Sequence, residues 1–89
     1  MVLLKTKNYK KSSNSLNKKD KILLLAQEKL LEENIFNPKL HTKKLNGFSP
    51  DKVFSFRITR TYRGVFRLRN QDVILFEIGH RKDIYQSLE

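Results

Sequence analysis

The sequence predicts an α+β fold, with one or two helices packed on one face of an antiparallel sheet of about four strands. Three runs in the second half of the chain, residues 53–59, 62–68 and 73–78, carry the apolar alternation that is typical of strands. One run in the first half, residues 18–33, repeats its apolar residues at helical spacing. Helices and strands in separate parts of a chain are typical of the α+β class.

The N-terminal part is predicted to form a strand followed by one or two helices. Residues 2–5 are β-prone and favour a further strand beside the later three. Residues 8–19 are rich in Lys, Ser and Asn, a composition that fits either a loop or a short helix carrying Tyr9 and Leu16. Both interpretations stay open from the sequence.

The helix over residues 18–33 has recognisable ends. Asn17 and Asp20 resemble a capping pair at its start, and Asn34 with Asn37-Pro38 favours its end. Its core-facing side is predicted from helical spacing to comprise Leu23, Ala26 and Leu30, flanked by Ile22 and Leu31, with Glu28 among the residues that point elsewhere.

The connections after this helix are predicted from turn residues. Residues 41–47 form a basic connector that ends in Asn46-Gly47, and residues 49–51 carry a second turn signal. Residues 59–61 and 70–71 are short enough for hairpin turns, so the last three strands are predicted to form an antiparallel meander.

Period-two alternation divides the side chains of this meander between two faces. One face is predicted to be an apolar core under the helices, and the other to carry Arg57, Arg63 and Arg67. The predicted core face comprises Phe54, Phe56, Ile58, Tyr62, Phe66, Leu68, Ile74, Phe76 and Ile78. An arginine-lined face indicates a polyanionic ligand, and we expect Arg63→Ala to leave folding almost unchanged because the residue faces a groove.

Composition limits the function classes. The 89 residues predict one domain, residues 1–89, whose small core favours a surface groove over a deep pocket. Nineteen Lys and Arg against nine Asp and Glu leave a net charge of +10, which favours nucleic acid, ribosome, acidic protein or anionic lipid as partner. A basic surface without a specific partner is the alternative.

Several kinds of site are excluded or disfavoured. Two histidines and no cysteine make a zinc site improbable, and the three glycines are too dispersed for a phosphate-binding loop, so no metal or cofactor is predicted. No run approaches the ~20 apolar residues of a membrane span. A cytoplasmic protein is therefore expected.

The residues left to carry function are mainly basic. They are Arg57, Arg63, Arg67, Arg81, Lys43, Lys44, His80 and Tyr85. Arginines on one sheet face can hold an RNA backbone and stabilise charge at a phosphorus under attack. Tyr85 is suited to stacking on a base or exchanging a proton, although a packing role at the sheet edge is the alternative.

Three segments resemble the RelE/ParE superfamily of toxins from type II toxin–antitoxin pairs. They are Phe56-Arg57-Ile58, Tyr62-Arg63-Gly64-Val65-Phe66 and the run from Ile78-Gly79-His80-Arg81 to Tyr85; the upstream Asn37-Pro38 and Thr42 to Gly47 are similar to the segment that joins helix to sheet in that family. The similarity extends over nearly the whole chain and implies a small α+β toxin with a basic sheet face.

The resemblance also implies a reaction and roles. RelE-type members cut mRNA in the ribosomal A site by attack of a ribose 2′-hydroxyl on the adjacent phosphate. By position, Arg63 corresponds to the arginine on the scissile phosphate, Arg81 to the one associated with protonating the leaving 5′-oxygen, and Tyr85 to the tyrosine that stacks on or deprotonates the substrate. Arg57 stands where RelE carries a transition-state lysine, and Lys43, Lys44 and Arg67 are expected to bind RNA.

Two departures from RelE concern the same site. Ser55 replaces a lysine two residues before Arg57, and His80 replaces the lysine before Arg81. Because histidine can act as an acid or base near neutral pH, His80 is included among the catalytic candidates.

The leading hypothesis is a ribosome-dependent mRNA endonuclease that inhibits translation. The alternatives are a ParE-like inhibitor of DNA gyrase with the same fold, which is not an enzyme, and a basic RNA-binding module without toxicity. Under the first two, the expected partner is an acidic or amphipathic antitoxin encoded beside the toxin.

Overall fold

A computed structural model describes residues 2–45 and 52–87, whose strands form one five-stranded sheet with helices on both faces. The elements in chain order are β1 Leu3–Lys5, α1 Lys7–Asn14, α2 Lys18–Glu33, a 3-10 turn Pro38–Leu40, β2 Lys43–Leu45, β3 Lys52–Arg57, β4 Tyr62–Arg69, β5 Asp72–His80 and α3 Arg81–Ser87. The α+β class is therefore confirmed. The predicted turns at Asn46-Gly47 and at 49–51 lie outside the described residues.

The sheet has five strands, one more than predicted, in the order β1-β5-β4-β3-β2. β1 runs parallel to β5, and the other neighbours are antiparallel, so the predicted meander of β3, β4 and β5 is confirmed. The strand that the sequence prediction missed is β2, which pairs with β3 where a connector was predicted. Its three residues, Lys-Lys-Leu, are too few and too polar to show apolar alternation.

Both N-terminal helices begin at capping side chains. Thr6 Oγ1 accepts a hydrogen bond from the Tyr9 backbone N–H at 3.2 Å and caps α1, which begins at Lys7 and makes the first part of residues 8–19 a helix. Asn17 Oδ1 accepts from the Asp20 N–H at 2.8 Å, so the predicted start of α2 is confirmed. Each cap satisfies a donor that the first helical turn leaves without an intrahelical partner.

The face that α2 buries differs from the prediction. Leu24 and Leu31 are buried, whereas Leu23 is 40% exposed and Ile22 is 60% exposed. The local run Ile-Leu-Leu-Leu-Ala is apolar all round the helix, so spacing alone does not determine which side faces the core.

A buried carboxylate accompanies this rotation of the α2 face. Glu28, predicted to point away, is only 6% exposed. Tyr9 Oη donates a hydrogen bond to its Oε2 at 2.7 Å, and Lys5 Nζ lies 3.0 Å from its Oε1. Burial, together with the hydrogen bond to Glu28 and its charge, strongly raises the pKa of the Tyr9 phenol. The contacts join β1, α1 and α2, and they provide the partners that a buried charge requires.

The core under α1 and α2 follows the predicted alternation on β3 and β4. Phe54, Phe56, Ile58, Tyr62, Phe66 and Leu68 all lie in or against this cluster. The ring of Phe56 packs so closely over Gly64 that a Cβ there would lie 2.3 Å from it. Glycine at position 64 is therefore required by packing.

On β5 the prediction was right for Ile78 and wrong for Ile74 and Phe76. Val73 and Leu75 fill the core, while Ile74 pairs with Arg67 on the other face. The pairing shifts between Val65, opposite Glu77, and Phe66, opposite Leu75, which leaves Phe76 as an extra residue in a β-bulge. The bulge reverses the alternation, so counting back from Ile78 assigns the earlier residues to the wrong face.

A second apolar cluster and α3 cover part of the opposite face, where no helix was predicted. The cluster contains Leu45, Val53, Val65 and Ile84, with Phe76 and Tyr85 partly buried against it. A Cβ at Gly79 would lie 3.1 Å from Ile84 Cδ1, so α3 approaches the sheet closely at this glycine. Helices therefore pack on both faces.

No helix within residues 2–45 and 52–87 is long and apolar enough to cross a membrane.

We predict that Phe56→Ala lowers the free energy of unfolding by about 3–5 kcal/mol because its ring is fully buried. Phe76→Ala is expected to cost clearly less, since this ring is only partly buried in the smaller cluster. Urea denaturation of both variants measures the difference. Equal losses would contradict the placement of Phe76.

Candidate functional site

The candidate site is the sheet face opposite α1 and α2, which carries Lys43, Arg57, Arg63 and Arg67 and which we call the basic face. Arg57 pairs directly with Arg63, and Lys43 pairs with Ser55 in the neighbouring row. Paired residues project to the same side of a sheet, so the register brings these side chains together. The predicted grouping of the three strand arginines is therefore confirmed.

Arg63 is buried in this face, contrary to its expected exposure in a groove. It is only 7% exposed, and its Nη1 donates to the carbonyl oxygens of Thr59, Arg60 and Tyr62 at 2.7, 3.2 and 3.0 Å. These acceptors belong to the turn between β3 and β4. The guanidinium thus holds the hairpin turn, and the expectation that Arg63 faces an open groove was wrong.

Arg57 is half-buried and less fully hydrogen-bonded. Its Nη1 lies 3.5 Å from His41 Nε2, and its buried Nε has no hydrogen-bond partner among residues 2–45 and 52–87. Its backbone carbonyl accepts a hydrogen bond from Gln27 Nε2 at 2.7 Å, which ties this end of β3 to α2. Arg57 is therefore a cation on the basic face whose guanidinium can still donate hydrogen bonds to a ligand.

Tyr85, on α3, lies over the same rows of the sheet. Lys43 Nζ is 4.9 Å from the centre of its ring. Burial raises the pKa of the Tyr85 phenol. Hydrogen bonding to Ser55 and Arg63 lowers it, as do the positive charges of Arg63 and Lys43, and together these effects bring the pKa below its usual value. Within the described residues, the buried Ser55 hydroxyl has no hydrogen-bond partner of ordinary geometry.

Two further predicted residues flank this centre. The guanidinium of Arg67 lies 4.6 Å from the centre of the Phe76 ring, a cation–π contact. Arg81 is exposed at the start of α3, and its N–H donates to the Thr61 carbonyl at 2.8 Å. Arg81 follows His80, the last residue of β5, and begins α3 at the edge of this region.

Lys44 and His80 are not brought into the basic face. Lys44 pairs with Phe54, a residue of the core under the helices. His80 pairs with Tyr62, their rings lie 6.5 Å apart, and its Nδ1 accepts a hydrogen bond from the Lys82 N–H at 3.2 Å. His80 thus caps the start of α3 on the other side of the sheet.

Sequence reasoning missed His41, whose ring lies beside Arg57. It follows the 3-10 turn with a left-handed backbone, φ 49° and ψ 45°. Such a conformation in a non-glycine residue is uncommon, but it is not visible in the sequence. Only the pairing of β2 with β3, itself unpredicted, places this histidine at the basic face.

Within the described parts of the chain, no group of three or more His, Asp or Glu side chains is placed to hold a metal ion.

Comparison with known proteins identifies the fold. No family model matches the chain, and no curated protein matches it. A chain of the archaeal RelE–RelB complex from Pyrococcus horikoshii OT3 superposes with a TM-score of 0.76 at 19% identity, over 90% of this chain and 93% of the matched one. A chain of the RelB–RelE antitoxin–toxin complex from Methanococcus jannaschii superposes with a TM-score of 0.75 at 20% identity, over 97% and 99%. The chain therefore has a RelE-like fold.

We predict that Arg63→Ala lowers the free energy of unfolding by about 1.5–3 kcal/mol, because three carbonyl oxygens lose a charged donor. Arg57→Ala is the matched control and is expected to cost less, since its guanidinium lies 3.5 Å from His41 and its Nε has no hydrogen-bond partner within the described residues. Chemical denaturation compares the two. A larger loss for Arg57→Ala would contradict the structural role of Arg63.

We predict that Tyr85 ionises below the usual tyrosine pKa of 10.0 and that Lys43→Ala raises this value, because the variant removes a stabilising charge. Carbon-13 NMR of labelled tyrosine rings resolves the titration. Lys44→Ala is the control, since its side chain lies on the other face and should leave the Tyr85 pKa unchanged. Equal shifts in both variants would show that only overall charge matters.

Proposed function

We propose that this protein is the toxin of a type II toxin–antitoxin pair and that it cuts mRNA on the ribosome, thereby inhibiting translation in the cytoplasm. The observation that carries the proposal is the Tyr85 phenol, with its lowered pKa, beside Arg63 and Lys43 on a basic sheet face. The RelE-like fold supports the toxin assignment. The net charge of +10 suits a ribosomal RNA environment.

The proposed reaction begins with attack of a ribose 2′-hydroxyl on the adjacent phosphate. Tyr85, in its phenolate form, takes the proton of that hydroxyl, since its lowered pKa makes the phenolate more accessible. Arg57 and Lys43 hold the phosphate and offset the charge that grows on its oxygens. Arg67 and Arg81 extend this positive surface along the RNA.

Arg63 has an indirect part in this proposal. Its guanidinium is buried and donates to backbone carbonyls, so it is less available to a ligand than the half-buried Arg57. Its charge acts on Tyr85, lowering the pKa of the phenol, and its hydrogen bonds hold the hairpin turn. We therefore assign it a positioning role.

We predict that Tyr85→Phe and Arg57→Ala each reduce mRNA cleavage on purified translating ribosomes by ~10²-fold or more. Tyr85→Phe keeps the ring and removes only the hydroxyl, so loss of activity reports proton transfer. Lys19→Ala, which removes an exposed cation from α2, is the charge-matched control and should retain wild-type cleavage.

Two results would contradict the proposal. Full activity of Tyr85→Phe would exclude the phenol from the reaction. A wild-type chain that leaves mRNA intact but blocks DNA supercoiling by purified gyrase would identify the non-enzymatic alternative of the same fold.

We predict that an acidic or amphipathic antitoxin encoded beside this chain binds it and covers the basic face, pairing carboxylates with Lys43, Arg57 and Arg81. Attraction between exposed charges is screened over ~8–10 Å at physiological ionic strength, so the association rate should fall as salt rises. Stopped-flow binding at low and high salt measures this. A neighbouring gene product that does not bind, or a rate that ignores salt, would contradict the proposed pair.

A further inference from the structure

His41 lies at the end of the row of the sheet that contains Arg57 and Arg63. The register pairs Lys43 with Ser55. His41, two residues before Lys43 and just before the start of β2, therefore falls opposite Arg57. Its Nε2 is 3.5 Å from Arg57 Nη1. The imidazole is exposed, so a ligand on the basic face can reach it.

One amide side chain holds this arrangement in place. Gln27 Nε2 donates to the Lys39 carbonyl at 3.1 Å and to the Arg57 carbonyl at 2.7 Å. It therefore links the turn before His41 to the strand that carries Arg57. The His41 backbone is also held in the left-handed region, where non-glycine residues are concentrated at functional sites.

The chemistry of the proposed reaction requires a proton donor that these arginines do not supply. Arginine keeps its proton at any working pH, so Arg57 and Arg81 stabilise a leaving oxygen without readily protonating it. Histidine changes its charge near neutral pH and is the commonest general acid and base in enzymes. His80 is on the other side of the sheet, with Nδ1 occupied by the Lys82 N–H.

We propose that His41 is a catalytic residue of the basic face and donates the proton to the leaving 5′-oxygen; this inference rests on the proposed RNA cleavage. The 2′-oxygen forms a bond to phosphorus as the bond from phosphorus to the 5′-oxygen breaks. The 2′-hydroxyl proton passes to Tyr85, and the imidazolium proton of His41 passes to the 5′-oxygen. The products are a 2′,3′-cyclic phosphate and a 5′-hydroxyl.

The charged groups around His41 affect whether its imidazole carries the proton that it would donate. Arg57 faces it from β3, and Lys43 follows it on β2 in the next row. A phosphate held between Arg57 and His41 places negative charge beside the imidazole and favours its protonated form. Protonation of His41 and binding of the phosphate are therefore expected to reinforce each other.

The test is the pH dependence of cleavage by the wild-type chain and His41→Gln on translating ribosomes. Only the protonated imidazole can donate, so the ratio of wild-type to His41→Gln rates should be ~10²-fold at the acid end of the range and shrink as pH rises. His80→Gln is the matched comparison, and any loss it causes should be the same at every pH. A constant ratio for His41→Gln would overturn the inference while leaving the proposed function intact.

A second measurement separates this inference from the proposed function. Titration with inorganic phosphate, followed by NMR of the two histidine rings, should raise the pKa of His41 more than that of His80. A wild-type chain that does not cleave mRNA would defeat the proposed function, and the phosphate titration would still report the anion site. Equal shifts at both histidines would overturn the pairing of His41 with Arg57.

Discussion

The basic face depends on how the sheet accommodates two arginines at directly opposite positions, Arg57 and Arg63. Like charges at paired positions repel each other, so each guanidinium needs its own compensation. Arg63 obtains it from three carbonyl oxygens and becomes part of the hairpin turn. Within the described residues, Arg57 lies 3.5 Å from the imidazole of His41, and its Nε has no hydrogen-bond partner. The pair thus divides into one structural cation and one cation suited to an anionic ligand.

The position of Tyr85 follows from the same face. Gly79 pairs with Arg63, and its missing side chain lets Ile84 of α3 pack directly on the sheet. Tyr85, the next residue, is thereby held near Arg63, Ser55 and Lys43, which together lower the pKa of its phenol. A glycine without catalytic chemistry therefore controls where the phenol lies and how readily it ionises.

Period-two alternation predicted the faces of β3 and β4 because every residue of those strands follows it. It failed on β5, where the bulge at Phe76 shifts the count by one and moves Ile74 and Phe76 out of the main core. Helical spacing likewise located α2 but not its buried side, because contacts of Glu28 with Tyr9 and Lys5 bring a charged residue inside. The first failure comes from a bulge in the pairing of two consecutive strands, and the second from contacts between elements that are distant in sequence.

The site was predicted by residue type and only partly by position. Lys43 and Lys44 are adjacent and chemically equivalent, yet β2 turns only Lys43 toward Tyr85. The two histidines divide in the same way: His80 pairs with Tyr62, while His41 reaches Arg57. The positions of Lys43 and His41 depend on the pairing of a three-residue strand whose own sequence carries almost no strand signal. The strand that is hardest to predict therefore decides which basic side chains share the site.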